Sequence, residues 1–275
     1  MYLWRKRADS GWVRRRGEEL LVRYGSAVAI IEEPDRATTL LEVSRPTRKE
    51  AADLQREFGG TIGKLPANWL QQFAEDSRAK PLRIGSRLIV ARTAKVRSTK
   101  TILIPAEAAF GTGEHATTAM CLRMLERATR KLSDGWTMLD AGTGSGILAI
   151  AASRFGASRV LAIDNDPIEC STARRNARAN GVRNIEFLTG DVLRQKLQGQ
   201  FDIITANLFS EILIAALPIW SRNLAKDGRL ILSGVLRSQE RELTRSLHRN
   251  GFATDETRRR GKWIALLALR ARKRS

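Results

Sequence analysis

The chain has 275 residues, enough for one large and one small domain with ample core, and no apolar run long enough (about 18 residues) for a membrane-spanning helix. Lys and Arg number 48 against 29 Asp and Glu, a formal charge of +19, which points either to a polyanionic neighbour or to a solvated arginine-rich surface. Cys121 and Cys170 are too few and too far apart for a disulfide framework or metal set, and the start, Met1-Tyr2-Leu3-Trp4-Arg5-Lys6-Arg7, turns basic too soon for a secretory leader, so a soluble, reducing, cytoplasmic setting is expected.

In chain order, residues 1–65 read as strand, helix, strand, strand, helix, strand. Tyr2-Leu3-Trp4 opens the series and Gly17 to Tyr24 is helical. Runs 27–31 and 38–43 are strands around Glu33-Pro34-Asp35-Arg36, a hairpin turn with proline at its bend. Thr47 is placed to cap a helix from Arg48 to Phe58, with Glu50 three residues on as in a capping box, and Gly59-Gly60 ends it. This order suits a small ferredoxin-like α+β unit. Residues 66–100 read as a linker, with a short helix from Asn68 to Ala74, the apolar stretch Arg87-Leu88-Ile89-Val90, and a basic exit from Lys95 to Lys100. An α/β unit occupies 101–275.

Within that unit, the apolar run Thr137-Met138-Leu139 feeds Asp140-Ala141-Gly142-Thr143-Gly144-Ser145-Gly146, and the helical run 147–152 leaves it. Glycine gives such a turn backbone angles closed to other residues and lets a ligand approach the main chain. Asp164 follows Gly146 by eighteen residues, at the end of Val160-Leu161-Ala162-Ile163, where a doubly wound sheet faces the ribose of a nucleoside. The glycines follow G-x-G-x-G. Ile147 stands where a dinucleotide fingerprint has its third glycine, which tilts the cofactor from NAD toward S-adenosyl-L-methionine. The loop glycines Gly142 and Gly144 are therefore cofactor-site candidates.

The next strand, Ile185-Glu186-Phe187-Leu188, ends at Gly190-Asp191-Val192. Asp191 either accepts from an adenine amino group or caps the turn that follows. Phe201 to Ala206 forms a strand buried on both faces and delivers Asn207 to its carboxyl end, either as a site residue or as the cap of the next helix. A helix (209–225), a strand (230–232), a helix (239–250) and a last pair around Phe252 and Trp263 complete the unit. Seven strands with an antiparallel final pair would match the class I methyltransferase architecture, an α/β Rossmann-like sheet.

Upstream lies Ala109-Phe110-Gly111-Thr112-Gly113-Glu114-His115-Ala116-Thr117-Thr118, running into an apolar-periodic helix. This resembles the A-F-G-T-G-x-H-x-T-T signature of the ribosomal protein L11 methyltransferases, the PrmA family. Residues 140–146, Ile163 to Pro167, Ala206-Asn207-Leu208 and Leu230 to Leu236 match further, and the amino-terminal part matches weakly through Trp69 and 81–88. The resemblance implies an enzyme that methylates lysine or N-terminal amines of a large-subunit ribosomal protein. It places S-adenosyl-L-methionine against Thr118, Gly142, Asp164 and Asn207. It sets Phe110, Gly111, Thr112 and Gly113 in a loop beside the transferred methyl, and makes residues 1–65 the substrate-recognition unit.

Two departures stand out: Ala116 replaces the family's usual proline, and Ile104-Pro105-Ala106-Glu107-Ala108 replaces an Asp-Pro-Gly stretch. Phe110 either lines the amine channel or packs under the loop. His115 either relays a proton or pins the loop through a hydrogen bond. The charge excess is uneven, with 12 basic and 4 acidic residues in 236–275, so contact with ribosomal RNA is expected there or the surface is merely solvated. An RNA methyltransferase on the same fold is the alternative reading, against which stands the lack of a Pro-Pro-aromatic run after Asn207.

Overall fold

Trp4, the largest side chain of strand β1 (Tyr2–Ala8), is fully buried, and the smaller unit is assembled around it. After β1 come helix α1 (Ser10–Tyr24), strands β2 (Val28–Glu32) and β3 (Thr39–Arg45), helix α2 (Arg48–Phe58) and strand β4 (Thr61–Lys64). The computed structural model describes residues 1–24, 27–32, 38–64, 81–93, 98–105 and 115–271, in two units, Met1–Asp76 and Ser77–Ser275. In the first unit the antiparallel order is β2-β3-β1-β4, the ferredoxin-like arrangement expected from the element order.

The capping box at α2 forms as read: Thr47 Oγ1 accepts from Glu50 N–H (3.3 Å) and Glu50 Oε2 accepts from Thr47 N–H (3.0 Å). Gly60, at φ +90°, is required because a Cβ there would lie 2.4 Å from the Arg5 carbonyl. Helix α1 starts seven residues earlier than expected, at Ser10, because Asp9 Oδ1 accepts from Trp12 N–H (2.8 Å). The two glycines of α1, Gly11 and Gly17, hid that start from a propensity reading. The turn at 33–36 lies outside the described residues, as do Trp69 and the short helix expected at 68–74.

The second unit contains a structured hairpin inside the stretch drawn as a linker. Strands β5 (Leu82–Ile84) and β6 (Leu88–Ala91) pair antiparallel, and β6 pairs parallel with β7 (Thr101–Leu103). Ile84, Leu88 and Val90 are buried in the core of this unit, so 82–91 is part of its body. The Arg87 guanidinium fixes it: it donates to Thr129 Oγ1 (2.9 Å) and the Phe155 carbonyl (3.0 Å), and lies 4.6 Å over the Phe155 ring.

The rest of the unit runs α3 (Ala116–Thr129), β8 (Thr137–Ala141), α4 (Ile147–Arg154), β9 (Arg159–Asp164), α5 (Pro167–Ala179), β10 (Ile185–Thr189), β11 (Phe201–Asn207), α6 (Ser210–Asn223), β12 (Leu224–Leu236), α7 (Glu240–Arg249), β13 (Phe252–Arg260) and β14 (Trp263–Arg270). Among the described residues the sheet has seven strands in the order β10-β9-β8-β11-β12-β14-β13, with β14 antiparallel to both its neighbours and the remaining pairs parallel.

Both faces are covered, so the strands read as near-continuous apolar runs. Met138, Val160, Ile203 and Ile231 enter one core with α3 and α4; Leu139, Leu161, Ile204 and Leu230 enter the other with α6 and α7. Asn180, just past α5, ties β7 to this body. Its Oδ1 accepts from Leu103 N–H (2.7 Å) and its Nδ2 donates to the Leu103 carbonyl (2.8 Å). Strand order reverses between β8 and β11, whose carboxyl ends therefore flank the crevice where open α/β sheets bind ligands.

Candidate active site

The glycine loop leaves β8 and is stitched to β9 at once: Gly142 and Thr143 N–H donate to the Ile163 carbonyl at 2.8 and 3.0 Å. Gly142, Gly144 and Gly146 all have positive φ. Gly142 is the tightest point, since a Cβ there would come 2.4 Å from Leu208 Cδ2. Any side chain at this position would therefore disturb the loop itself as well as a ligand lying against it.

Asp164 closes the loop from the other side. Its Oδ2 accepts from Gly144 N–H (2.9 Å) and its Oδ1 from Asp166 N–H (3.1 Å), leaving lone pairs on both oxygens for hydroxyl donors. Gly190 N–H donates to the Asp164 carbonyl (2.8 Å), so the end of β10 is held against the same residue. There Asp191 Oδ1 accepts from Leu193 N–H (2.9 Å), and its other oxygen is 3.5 Å from Arg194 Nε. Of the two readings of Asp191, the turn cap is the one whose bonds are formed.

Asn207 ends β11 in the crevice. Its Nδ2 donates to Thr118 Oγ1 (3.4 Å), across from the first turn of α3, while its Oδ1 is buried and has no hydrogen-bond partner among the described residues. It does not cap α6: the residue at that cap is Phe209, which makes no capping bond. A buried amide oxygen without a donor is costly, and the position calls for a ligand N–H or O–H. Phe209 itself is 68% exposed, an apolar side chain two residues past Asn207 on the same edge.

The sequence alone gives Asp140 no role. It is buried beneath the loop, accepting from Thr205 Oγ1 (2.6 Å) and Thr143 Oγ1 (2.8 Å), so it clamps the loop to β11. Burial pushes its carboxyl up to about 6, against the opposing pull of those two hydroxyls. An acid directly before a glycine loop was the available signal.

His115 stands at the start of α3. Its Nδ1 is 2.6 Å from Thr117 Oγ1 and its ring meets the edge of Trp263 at 5.0 Å, the pinning arrangement of the two readings. Burial, then the nearby Lys262 charge, holds its imidazole below the usual histidine range. Phe110, Thr112 and Glu114 lie outside the described residues. Both cysteines are buried, and Cys121 is pushed up to about 12 by burial, which leaves it inert as a nucleophile.

The crevice thus joins a carboxylate with spare lone pairs, a turn whose backbone is bare at Gly142 and Gly144, and an unfilled amide acceptor. These fit a ribose, a polar amino-acid tail and a hydrogen-bond donor, the parts of S-adenosyl-L-methionine.

A family profile described as Ribosomal protein L11 methyltransferase (PrmA) matches residues 17–271. The chain is 39% identical over 194 residues to a ribosomal protein L11 methyltransferase of Pelotomaculum thermopropionicum, covering 69% of this chain and 62% of that protein. It is 34% identical over 251 residues to one of Heliobacterium modesticaldum, covering 86% of this chain and 78% of that protein. A crystal structure of ribosomal protein L11 methylase from Lactobacillus delbrueckii subsp. bulgaricus superposes with a TM-score of 0.62 at 33% identity, covering 70% of this chain and 99% of that one. The larger unit has the class I methyltransferase fold.

Proposed function

The chain belongs to the ribosomal protein L11 methyltransferase family, and from that premise we propose that it transfers methyl groups from S-adenosyl-L-methionine to lysine or N-terminal amines of a large-subunit ribosomal protein. The observation that carries the reading is the buried, unpaired Oδ1 of Asn207, whose Nδ2 is bonded to Thr118, at the switch point of the sheet.

In this reading Asp164 takes the ribose hydroxyls on its remaining lone pairs, and Asp191 takes the adenine amino group on the lone pairs its turn leaves over. Gly142 and Gly144 give the amino-acid tail room against bare backbone, and Asn207 with Thr118 holds its polar end. The bound cofactor would supply a methyl group already activated on a sulfonium. The task left to the chain is alignment, which can contribute about 7–11 kcal/mol.

The acceptor must arrive as a neutral amine. A lysine with a pKa near 10.4 needs roughly 4–5 kcal/mol to lose its proton at pH 7, and an α-amine near 7.7–8.0 only about 1. A site that removes water from the amine lowers this cost for lysine. Phe110 and Thr112 border the amine, and His115, held through Nδ1, positions their segment. Residues 1–65 recognise the protein substrate, and the larger unit, with the 82–91 hairpin in its body, carries the transfer.

The test is incubation with radiolabelled S-adenosyl-L-methionine and ribosomal components, with protein and RNA counted separately. Label is expected in a ribosomal protein and is expected to vanish with Asn207→Ala. Label in the RNA fraction alone would overturn the proposal in favour of an RNA methyltransferase.

A further inference from the structure

A second surface, separate from the crevice, is assembled by α7 and β13. Arg237, Glu240, Arg241, Thr244, Arg245 and Arg259 line an open groove of about 800 Å³. Four guanidinium groups there face a single carboxylate, and Glu240 is already taken by Arg259, whose Nε donates to its Oε2 at 3.0 Å and whose Nη2 donates to its Oε1. Arg237, Arg241 and Arg245 have no ion-pair partner among the described residues, and all three are exposed. Arg241 and Arg245, four residues apart on α7, follow each other by about 6 Å along the helix axis. The turn carrying Arg237 is fastened to the far end of the β13–β14 hairpin, because Arg237 N–H donates to the Lys262 carbonyl (2.9 Å).

We propose that this groove docks the sugar–phosphate backbone of RNA. A fork of planar N–H donors matches a phosphate as a bidentate partner, and arginine keeps its charge at any physiological pH. Regularly spaced cations meet a polymer that carries a charge on every repeat unit, whereas an acidic protein offers carboxylates on separate flexible stems. No aromatic side chain lines the groove, so it has nothing on which to stack bases and reads charge and spacing without sequence. The surrounding segment 236–275 carries 12 basic and 4 acidic residues, which extends the attractive field beyond the groove. The docking is independent of methyl transfer and needs no cofactor.

Fluorescence anisotropy with a labelled single-stranded RNA, over a series of salt concentrations and with no cofactor present, tests it. The full chain should bind, with log Kd rising linearly with log salt. R237E/R241E/R245E should lower that slope by about 2, from three phosphate contacts at roughly 0.7 each. R241Q/R245Q, which keeps the helix polar and neutral, should lower it by about 1.4. Methylation of an isolated ribosomal protein by both variants should match the parent, which shows that they are folded. An unchanged slope in R241Q/R245Q, or displacement of the RNA by poly-glutamate as effectively as by unlabelled RNA, would overturn the proposal.

Discussion

Gly142→Ala tests the loop geometry directly. At φ +73° a side chain brings the left-handed penalty of about 1–2 kcal/mol. The new Cβ would also meet Leu208 Cδ2 at 2.4 Å, an overpacking that costs about 1–3 kcal/mol, because Leu208 is partly buried and can give only in part. The sum is about 2–5 kcal/mol lost from the unfolding transition of the larger unit, read by urea denaturation. Under the proposed function cofactor affinity, read by calorimetry, should fall at least about tenfold, since the displaced loop no longer offers the ligand tail bare backbone. Two companions separate the causes. Gly181→Ala, at φ +66° with nothing within 4 Å of its Cβ, should show the backbone penalty alone. Combining Gly142→Ala with Leu208→Ala should show a favourable coupling of about 1–3 kcal/mol. Gly142→Ala within about 0.5 kcal/mol of the parent, or no coupling to Leu208, would refute the reasoning.

Asp140 makes a pH prediction. Its carboxyl titrates near 6 in the fold against 3.8 when exposed, so its contribution to stability is full below about pH 4 and is lost as pH rises through 6. The loss amounts to about 3 kcal/mol. Asp140→Asn removes this titration, so its stability relative to the parent should climb between pH 4 and pH 6 and then level off; a constant difference across that window would contradict the assignment. Arg87→Ala should cost about 2 kcal/mol of the larger unit's stability, because it strips two bonds from Thr129 and the Phe155 carbonyl. A true linker residue would cost under about 0.5 kcal/mol in the same urea experiment.

The glycine loop, Asp164 and Asn207 were legible because each follows a buried parallel strand at the edge where such sheets bind ligands, and strand ends announce themselves through abrupt changes in polarity. Thr47 with Glu50 was legible because a capping box is a local contact between residues three apart. What escaped was non-local. The run 82–91 is short and flanked by polar residues, so its brief apolar stretch did not distinguish it from a connector; its burial comes from Ile84, Leu88 and Val90 packing into a core built by residues far along the chain, with Arg87 reaching Thr129 and Phe155. Asp140 was visible as a letter, but its clamp depends on Thr205, sixty-five residues away. The amide of Asn207 had two uses on paper, and only the backbone path of β11 into α6 removed the capping use. The charge excess near the carboxyl end was plain from composition, while the groove that concentrates it needed β13 folded back beside α7.

Asn180 lies more than sixty residues past the signature segment, yet it governs where that segment sets out. By gripping both backbone groups of Leu103 it moors one end of that segment, and His115, braced by Thr117 and Trp263, moors the other. A change at the tail of α5 would therefore shift a departure point nearly eighty residues upstream, and under the proposed function drift at that mooring would register as a fault in substrate handling with the cofactor crevice intact.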